Sequence, residues 1–198
     1  MLKQLEDALR YENQSFPPKW SLFIARFRLV LEFTGINFHN LQGKTAQGYE
    51  AAIRVGLVYS ALEALWNAIG VSKSTPIRDK QAAKVIRQLR GSKFEAYLIN
   101  SARRDSLQTS VERMFSSQDI MDLTPLMEVI RHSVFHGAFT PHGSGYTNSS
   151  NVRLLLDLVC ELAIDTIQAR VALEVRKRSD YHPKRSQGAS LSPYSEVQ

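Results

Sequence analysis

Seven consecutive residues, Arg131-His132-Ser133-Val134-Phe135-His136-Gly137, hold a fixed cation, two imidazoles and a helix stop. Imidazole titrates near neutral pH, so one histidine can take a proton and return it. An arginine stays charged, and its planar fork matches phosphate oxygens. Phosphodiester cleavage needs both tools. The run from Thr124 reads as a helix, with Thr124 as N-cap, Pro125 in the first helical position and Gly137 as C-cap after about His136. In it His132 and His136 lie one turn apart on one face, while Arg131, five residues before His136, is displaced around the barrel. One helix therefore cannot close Arg131 and His136 on a small group. A second element must help.

Apolar Leu126, Val129, Ile130, Val134 and Phe135 give this helix a side to bury. The longest helical pattern in the first half of the chain, Thr45 to Ile69, carries only Glu50, Arg54 and Glu63 as formal charges. Glu50 and Arg54, four apart, can pair. Glu63 has Tyr59, Ser60, Trp66 and Asn67 at its helical neighbour positions and no cation among them. Since Ala52, Gly56 and Ser60 share its flank, another helix can come close there, and a carboxylate so placed needs a cation from elsewhere. Arg131 or a protonated histidine is the natural candidate, with Glu63 in an orienting role. Two readings compete: Glu63 is exposed or bonds Tyr59 or a hydroxyl, and Glu128, within one turn of both Arg131 and His132, takes the cation instead.

The pattern Arg131-His132-x-x-x-His136, at the end of a helix in an all-helical chain, resembles the HEPN superfamily (higher eukaryotes and prokaryotes nucleotide-binding). The earlier helix, Gly48-Tyr49-Glu50-Ala51-Ala52 through Ala61-Leu62-Glu63-Ala64-Leu65, is similar to the first core helix of many HEPN domains, so the resemblance spans roughly residues 45 to 175. It implies a metal-independent endoribonuclease in which a ribose 2′-hydroxyl attacks the adjacent phosphorus, leaving a 2′,3′-cyclic phosphate. His136 would then be general acid or base, Arg131 would stabilise the phosphorane, and His132 would orient or share the proton transfer. The family often has Asn after the Arg where this chain has His132, which leaves the division of labour between His132 and His136 open. The resemblance also implies a homodimer with a shared cleft, RNA as partner, and an antitoxin or regulatory protein in a toxin or defence role. The alternative is a non-catalytic HEPN-like module that dimerises and binds nucleotide or RNA.

A chain of 198 residues with 43% hydrophobic and 22% charged side chains fits one soluble domain. No stretch is apolar over the length a bilayer requires, and Met1-Leu2-Lys3-Gln4-Leu5-Glu6 lacks a signal-peptide core, so the expected location is cytoplasmic. The lone Cys160 sits among Leu158, Val159 and Leu162 and reads as a buried structural thiol. The net charge of +6 concentrates in Lys84 to Arg104, where Lys84, Arg87, Arg90, Lys93, Arg103 and Arg104 oppose Glu95, and in Arg176-Lys177-Arg178 with Lys184-Arg185. Such blocks can attract phosphate, although solvated helix faces are the commoner case.

Leucines at positions 2, 5 and 9 predict a helix over 2–12, and apolar spacing predicts another over Trp20 to Phe33. Gly35 to Gly43 reads as a loop holding the isolated His39. Ser72 to Pro76 should supply a loop and N-cap for a basic helix over Ile77 to Leu89, stopped by Gly91. A short helix over Lys93 to Ala102 should turn Phe94, Leu98 and Tyr97 inward. Residues 103 to 117 fit neither period. Ala138 to Ser150 is a loop beside the site, and Asn151 to about Arg178 is a helix capped by Ser149 or Ser150 and apolar around most of its circumference. Such a helix is central or serves a subunit interface. Beyond Ser179 composition predicts a disordered tail.

The His132 and His136 spacing also suits helical zinc ligands, with His142 as the nearest third, but no Glu follows His132 as in a metalloprotease helix and Arg131 would repel a dication. Gly91-Ser92-Lys93 is no phosphate loop, and Gly143-Ser144-Gly145 is no nucleophile elbow. No metal and no cofactor is expected. His136 can also act as a simple cap on the helix dipole. The expected architecture is all-α, an HEPN-like bundle of about five or six helices. A single domain would cover 1–178 (core about 45–178), with a short N-terminal helical extension and the 179–198 tail, and with the helices at 45–69 and 151–178 at its centre.

Overall fold

The computed structural model describes residues 1–12, 17–37, 39, 43–71, 76–136 and 150–179. It is all-helical: among the described residues there are eight helices, and none is long and apolar enough to cross a membrane. They are α1 (Leu2–Glu12), α2 (Pro18–Glu32), α3 (Gly43–Ile69), α4 (Lys80–Gln88), α5 (Lys93–Ser101), α6 (Asp105–Ser116), α7 (Thr124–Phe135) and α8 (Ser150–Ser179). The count exceeds the expected five or six plus an N-terminal extension because residues 105 to 116 form a further helix, burying Leu107, Val111, Met114 and Phe115. The loop from Ala138, Gly137 with its capping role, His142, and the tail from Asp180 lie outside the described residues.

Two compact units are present. The smaller holds α1, which buries Leu5 and Leu9, and α8 from Gln168 onward. The larger runs from Pro18 to Ile167 and contains the whole Arg-His segment. Within it α3 packs closely against α2 and α7. The α2 contact is built by Trp20, Phe23, Ile24, Phe27 and Val30, with Phe23 and Phe27 stacked at 5.6 Å, and is clipped by Arg26 Nη1 donating to Ser60 O at 3.0 Å.

The α7 contact runs along the small-residue flank of α3. A Cβ on Gly56 would lie 3.0 Å from Phe135 Cε2 and 3.7 Å from the Arg131 Cα, so glycine is what lets α7 sit this close. Glu50 and Arg54 form no ion pair with each other; the Glu50 carboxylate instead lies against Gly35, where a Cβ would meet Glu50 Oε1 at 2.9 Å and where φ is 125°.

Several short elements exist to hold α7 and its neighbours. Thr124 is the first residue of α7 rather than its cap, and Asp122 does the anchoring: its Oδ1 accepts from Thr124 N at 3.0 Å, Thr124 Oγ1 at 2.7 Å and Ile77 N at 3.1 Å. One carboxylate thereby ties the start of α7 to the segment before α4. The N-cap of α4 is Asp79, accepting from Ala82 N at 2.8 Å, not a residue of 72–76. Ser92 caps α5, and Phe94 and Leu98 are buried as the sequence suggests. Arg90 donates to the carbonyls of Phe115, Ser116 and Ser117, and Arg87 to that of Gln118. Two members of the basic block thus satisfy the open carbonyls at the end of α6.

Candidate active site

Arg131, His132 and Ser133 lie on the turn of α7 that crosses α3, and His136 is its C-terminal cap residue. The apolar face of α7 is formed by Leu126, Met127, Val129 and Ile130, all fully buried. Phe135, expected to belong to it, is 51% exposed, with its ring edge lying over Gly56 at the last turn.

Glu63 and Arg131 meet: Arg131 Nη2 lies 3.5 Å from Glu63 Oε2, and no other cation is paired with Glu63 among the described residues. Both side chains are about a third exposed, so the pair is screened and holds orientation more than stability. Arg131 Nε, buried in the packing, has no hydrogen-bond partner among the described residues.

The imidazoles of His132 and His136 stack, with centroids 5.8 Å apart and planes 16° from parallel. His132 Nε2 faces Glu128 Oε1 at 3.7 Å, while its Nδ1 is buried and unpartnered. A carboxylate opposite Nε2 favours the proton there and leaves Nδ1 a bare lone pair. Burial and the neighbouring Arg131 hold His132 below the ordinary histidine range, with Arg103 and His136 adding to them and Glu128 opposing. The ring is therefore neutral at pH 7. Like His132 Nδ1, Ser133 Oγ is a buried polar atom without a partner among the described residues.

Glu128 is shared. Besides facing His132 it accepts from Arg104 Nη2, and the phenol of Tyr59 hydrogen-bonds it from α3. Burial, then the charges of Glu128 and Glu63, push the Tyr59 phenol well above its ordinary value, so it stays a donor. Its ring is fixed edge-on by Trp66 at 6.2 Å. Sequence reading names Tyr59 only as a neighbour of Glu63 and Arg104 only as part of a basic block. Tyr59 could be found from its position one turn before Glu63, but Arg104, 24 residues before Glu128, carries no local signal.

Elsewhere Cys160 is buried and its thiol is pushed up to about 12 by burial, an inert interior group. Among the described residues no three His, Cys, Asp or Glu side chains gather as a metal site. No family model, curated protein or solved structure matches the chain.

The site thus offers a guanidinium with a spare donor, a neutral imidazole with a spare acceptor, a second exposed imidazole stacked on the first, and two carboxylates that orient them. Buried polar atoms left unsatisfied in this way call for a missing partner. A group carrying both anionic oxygens and a hydroxyl suits them.

Proposed function

We propose that the protein is a metal-independent endoribonuclease of the HEPN type. The observation that carries this is the adjacency, on one turn of α7, of an unpartnered Arg131 Nε and an unpartnered His132 Nδ1 beside the His132/His136 stack. In the reaction a 2′-hydroxyl oxygen forms a bond to the adjacent phosphorus as an imidazole takes its proton. The bond from phosphorus to the 5′-oxygen breaks as a proton is returned to that oxygen, leaving a 2′,3′-cyclic phosphate and a 5′-hydroxyl. Arg131, oriented by Glu63, faces the charge that builds on the phosphorane oxygens. His136 takes or returns the proton; His132, neutral and stacked on it, orients it or shares the transfer.

The acting form is a homodimer in the cytoplasm. Arg131 and His136 stand five positions apart on one helix, and a two-fold axis would set a second Arg-His pair opposite the first. The exposed Phe135 ring beside His136 supplies apolar surface for that contact. Light scattering that gives a 22.4 kDa monomer at micromolar concentration would count against it. A nuclease of this kind would be held in check by an antitoxin or regulatory protein.

A second reading, a non-catalytic module that dimerises and binds RNA or nucleotide, is favoured by the Glu63 ion pair, which occupies one edge of the Arg131 fork. Incubating the protein with end-labelled RNA in the presence of a chelator separates the two. Cleavage to cyclic-phosphate ends supports the nuclease; retained binding with no cleavage gives the site to the module.

A further inference from the structure

Glu128 has more suitors than it can serve. Arg104 bonds its Oε1, His132 Nε2 faces the same oxygen, and Tyr59 donates to the carboxylate from α3. Of these Arg104 is the loosest: its side chain is 64% exposed, and although Arg104 is the N-cap residue of α6 that side chain makes no capping bond. Beside it in sequence is Arg103, also exposed, with no ion pair or hydrogen bond among the described residues and close enough to bear on His132. Two adjacent exposed guanidiniums, one unengaged and one held by a shared carboxylate, form a fork for an anion with several oxygens.

We propose that Arg103 and Arg104 are a docking pair for a phosphate group, and that a phosphate drawing Arg104 off Glu128 hands that carboxylate to His132. The groups facing His132 are Glu128, Arg131 and His136 on its own helix, Arg103 and Arg104 on the link before α6, and Tyr59 and Glu63 of α3 beyond Glu128 and Arg131. With the pair empty, burial and then the Arg131 and Arg103 charges outweigh the shared Glu128, and the ring is neutral. With it filled, the positive field of Arg103 is cancelled, Glu128 Oε1 is free, and the imidazole takes a proton from solvent. Binding and protonation are then linked reciprocally, so the site becomes a proton donor when a phosphate chain lies against it.

The proposal rests on reading α7 as a phosphodiester site, but its test needs no cleavage. The His132 imidazole is titrated by nitrogen-15 NMR in the full-length protein, assigned by His132→Asn, alone, with inorganic phosphate, and with a short oligodeoxynucleotide, which lacks the 2′-hydroxyl and stays intact. The expected result is a rise in the His132 pKa with either anion; a rise with the oligonucleotide alone assigns the pair to a backbone phosphate. Arg104→Ala should raise the pKa before any anion is added and abolish the further response, whereas Glu128→Gln should lower it and abolish the response. Arg103→Ala should weaken the phosphate response and leave the Glu128 contacts in place. No rise with either anion overturns the proposal, and so does an undiminished rise in Arg104→Ala, which would mean that phosphate sits on His132 directly. Cleavage without the linked protonation overturns this proposal alone, while linked protonation without cleavage supports it and overturns the nuclease.

Discussion

Two regions of the molecule set carboxylates against cations, and they settle the contest in opposite ways. In the smaller unit Glu174, buried near the end of α8, is surrounded by Arg170 at 3.5 Å, Lys177 at 2.9 Å and Arg178 at 2.9 Å. Burial would raise this carboxyl, but hydrogen bonds from Lys177 and Arg178 outweigh it and hold the group below the usual carboxylate value. All three cations lie within four residues of the acceptor, on one helix, so the turns before and after it satisfy it. At the crossing of α3 and α7, Glu63 and Glu128 draw four partners from three separate places in the chain and leave Arg131 Nε, His132 Nδ1 and Ser133 Oγ without any among the described residues. The Glu174 carboxylate is saturated and its cluster leaves one buried atom, Arg170 Nε, without a partner among the described residues, whereas the α7 cluster leaves three together and is shaped for something that arrives.

The largest effect that would sharpen this contrast is catalytic. His136→Ala should lower RNA cleavage by about a hundredfold to ten-thousandfold, the usual cost of losing a general acid or base. His136 is exposed, so the unfolding midpoint should hardly move. Arg131→Lys should cost on the order of a hundredfold, as for one oriented donor, since a point charge cannot present two parallel N–H groups. His132→Asn separates two roles: activity that survives makes His132 an orienting group, and activity that vanishes makes it a proton carrier. If all three variants cleave RNA like the parent, the unsaturated cluster has no catalytic role.

The reverse pattern is expected at the saturated cluster. Glu174→Gln should destabilise the protein by on the order of 2 kcal/mol in urea unfolding, with cleavage per folded molecule unchanged. That figure lies below the loss expected when a fully buried pair is broken, because Lys177, 54% exposed, regains water. An activity loss matching that of His136→Ala would erase the distinction between the regions.

What the sequence made legible is what one helix can encode. The apolar spacing of α3, α7 and α8, the small-residue flank around Gly56 and the missing helical partner of Glu63 are local facts, and the Glu63–Arg131 pair follows from the last of them. Asp122 joining two segments, Arg87 and Arg90 closing the end of α6, and Arg104 reaching Glu128 all span 24 residues or more, except for the bonds Asp122 makes to Thr124. Such bonds leave no periodic trace. The α6 segment was illegible for a related reason: its four buried side chains are diluted by Ser106, Gln108, Thr109 and Ser110, so its helicity depends on packing against α4, α5 and α7. Phe135 misleads in the other direction, since an apolar residue in the last turn can fall beyond the edge of the neighbouring helix.

The Gly56 notch gives a test of how far the site depends on that close approach. Gly56→Ala gains about 1 kcal/mol of helix propensity and meets the Phe135 ring at 3.0 Å, but half of that ring is in solvent and can swing, so the net change in stability should stay within about 1 kcal/mol. Gly56→Leu has no such outlet past the Arg131 backbone and should cost about 1–3 kcal/mol by overpacking. Cleavage should fall with it, because Arg131 moves relative to Glu63. Loss of stability with cleavage untouched would show that the ion pair does not orient the guanidinium.

The smallest effect separates the two regions along the pH axis. His132 has a folded pKa below its ordinary 6.5, so between that depressed value and 6.5 the unfolded chain binds more protons than the folded one. Stability therefore rises with pH across this window and is lost as pH falls through it, because folding then buries a cation and sets it beside Arg131 and Arg103. Glu174 is depressed below 4.5: its contribution is full above that value and is lost as pH falls through the folded pKa. Both slopes have the same sign, but they begin about two units apart on the reference scale. Urea midpoints measured from pH 8 to pH 3 should show His132→Asn flattening the slope that begins near 6.5 while keeping the one that begins near 4.5, and Glu174→Gln doing the opposite. Were His132→Asn to keep the whole of the upper slope, the imidazole would not sit in a field that resists its charge, and the contrast between a satisfied cluster and a waiting one would fail at the residue on which it most depends.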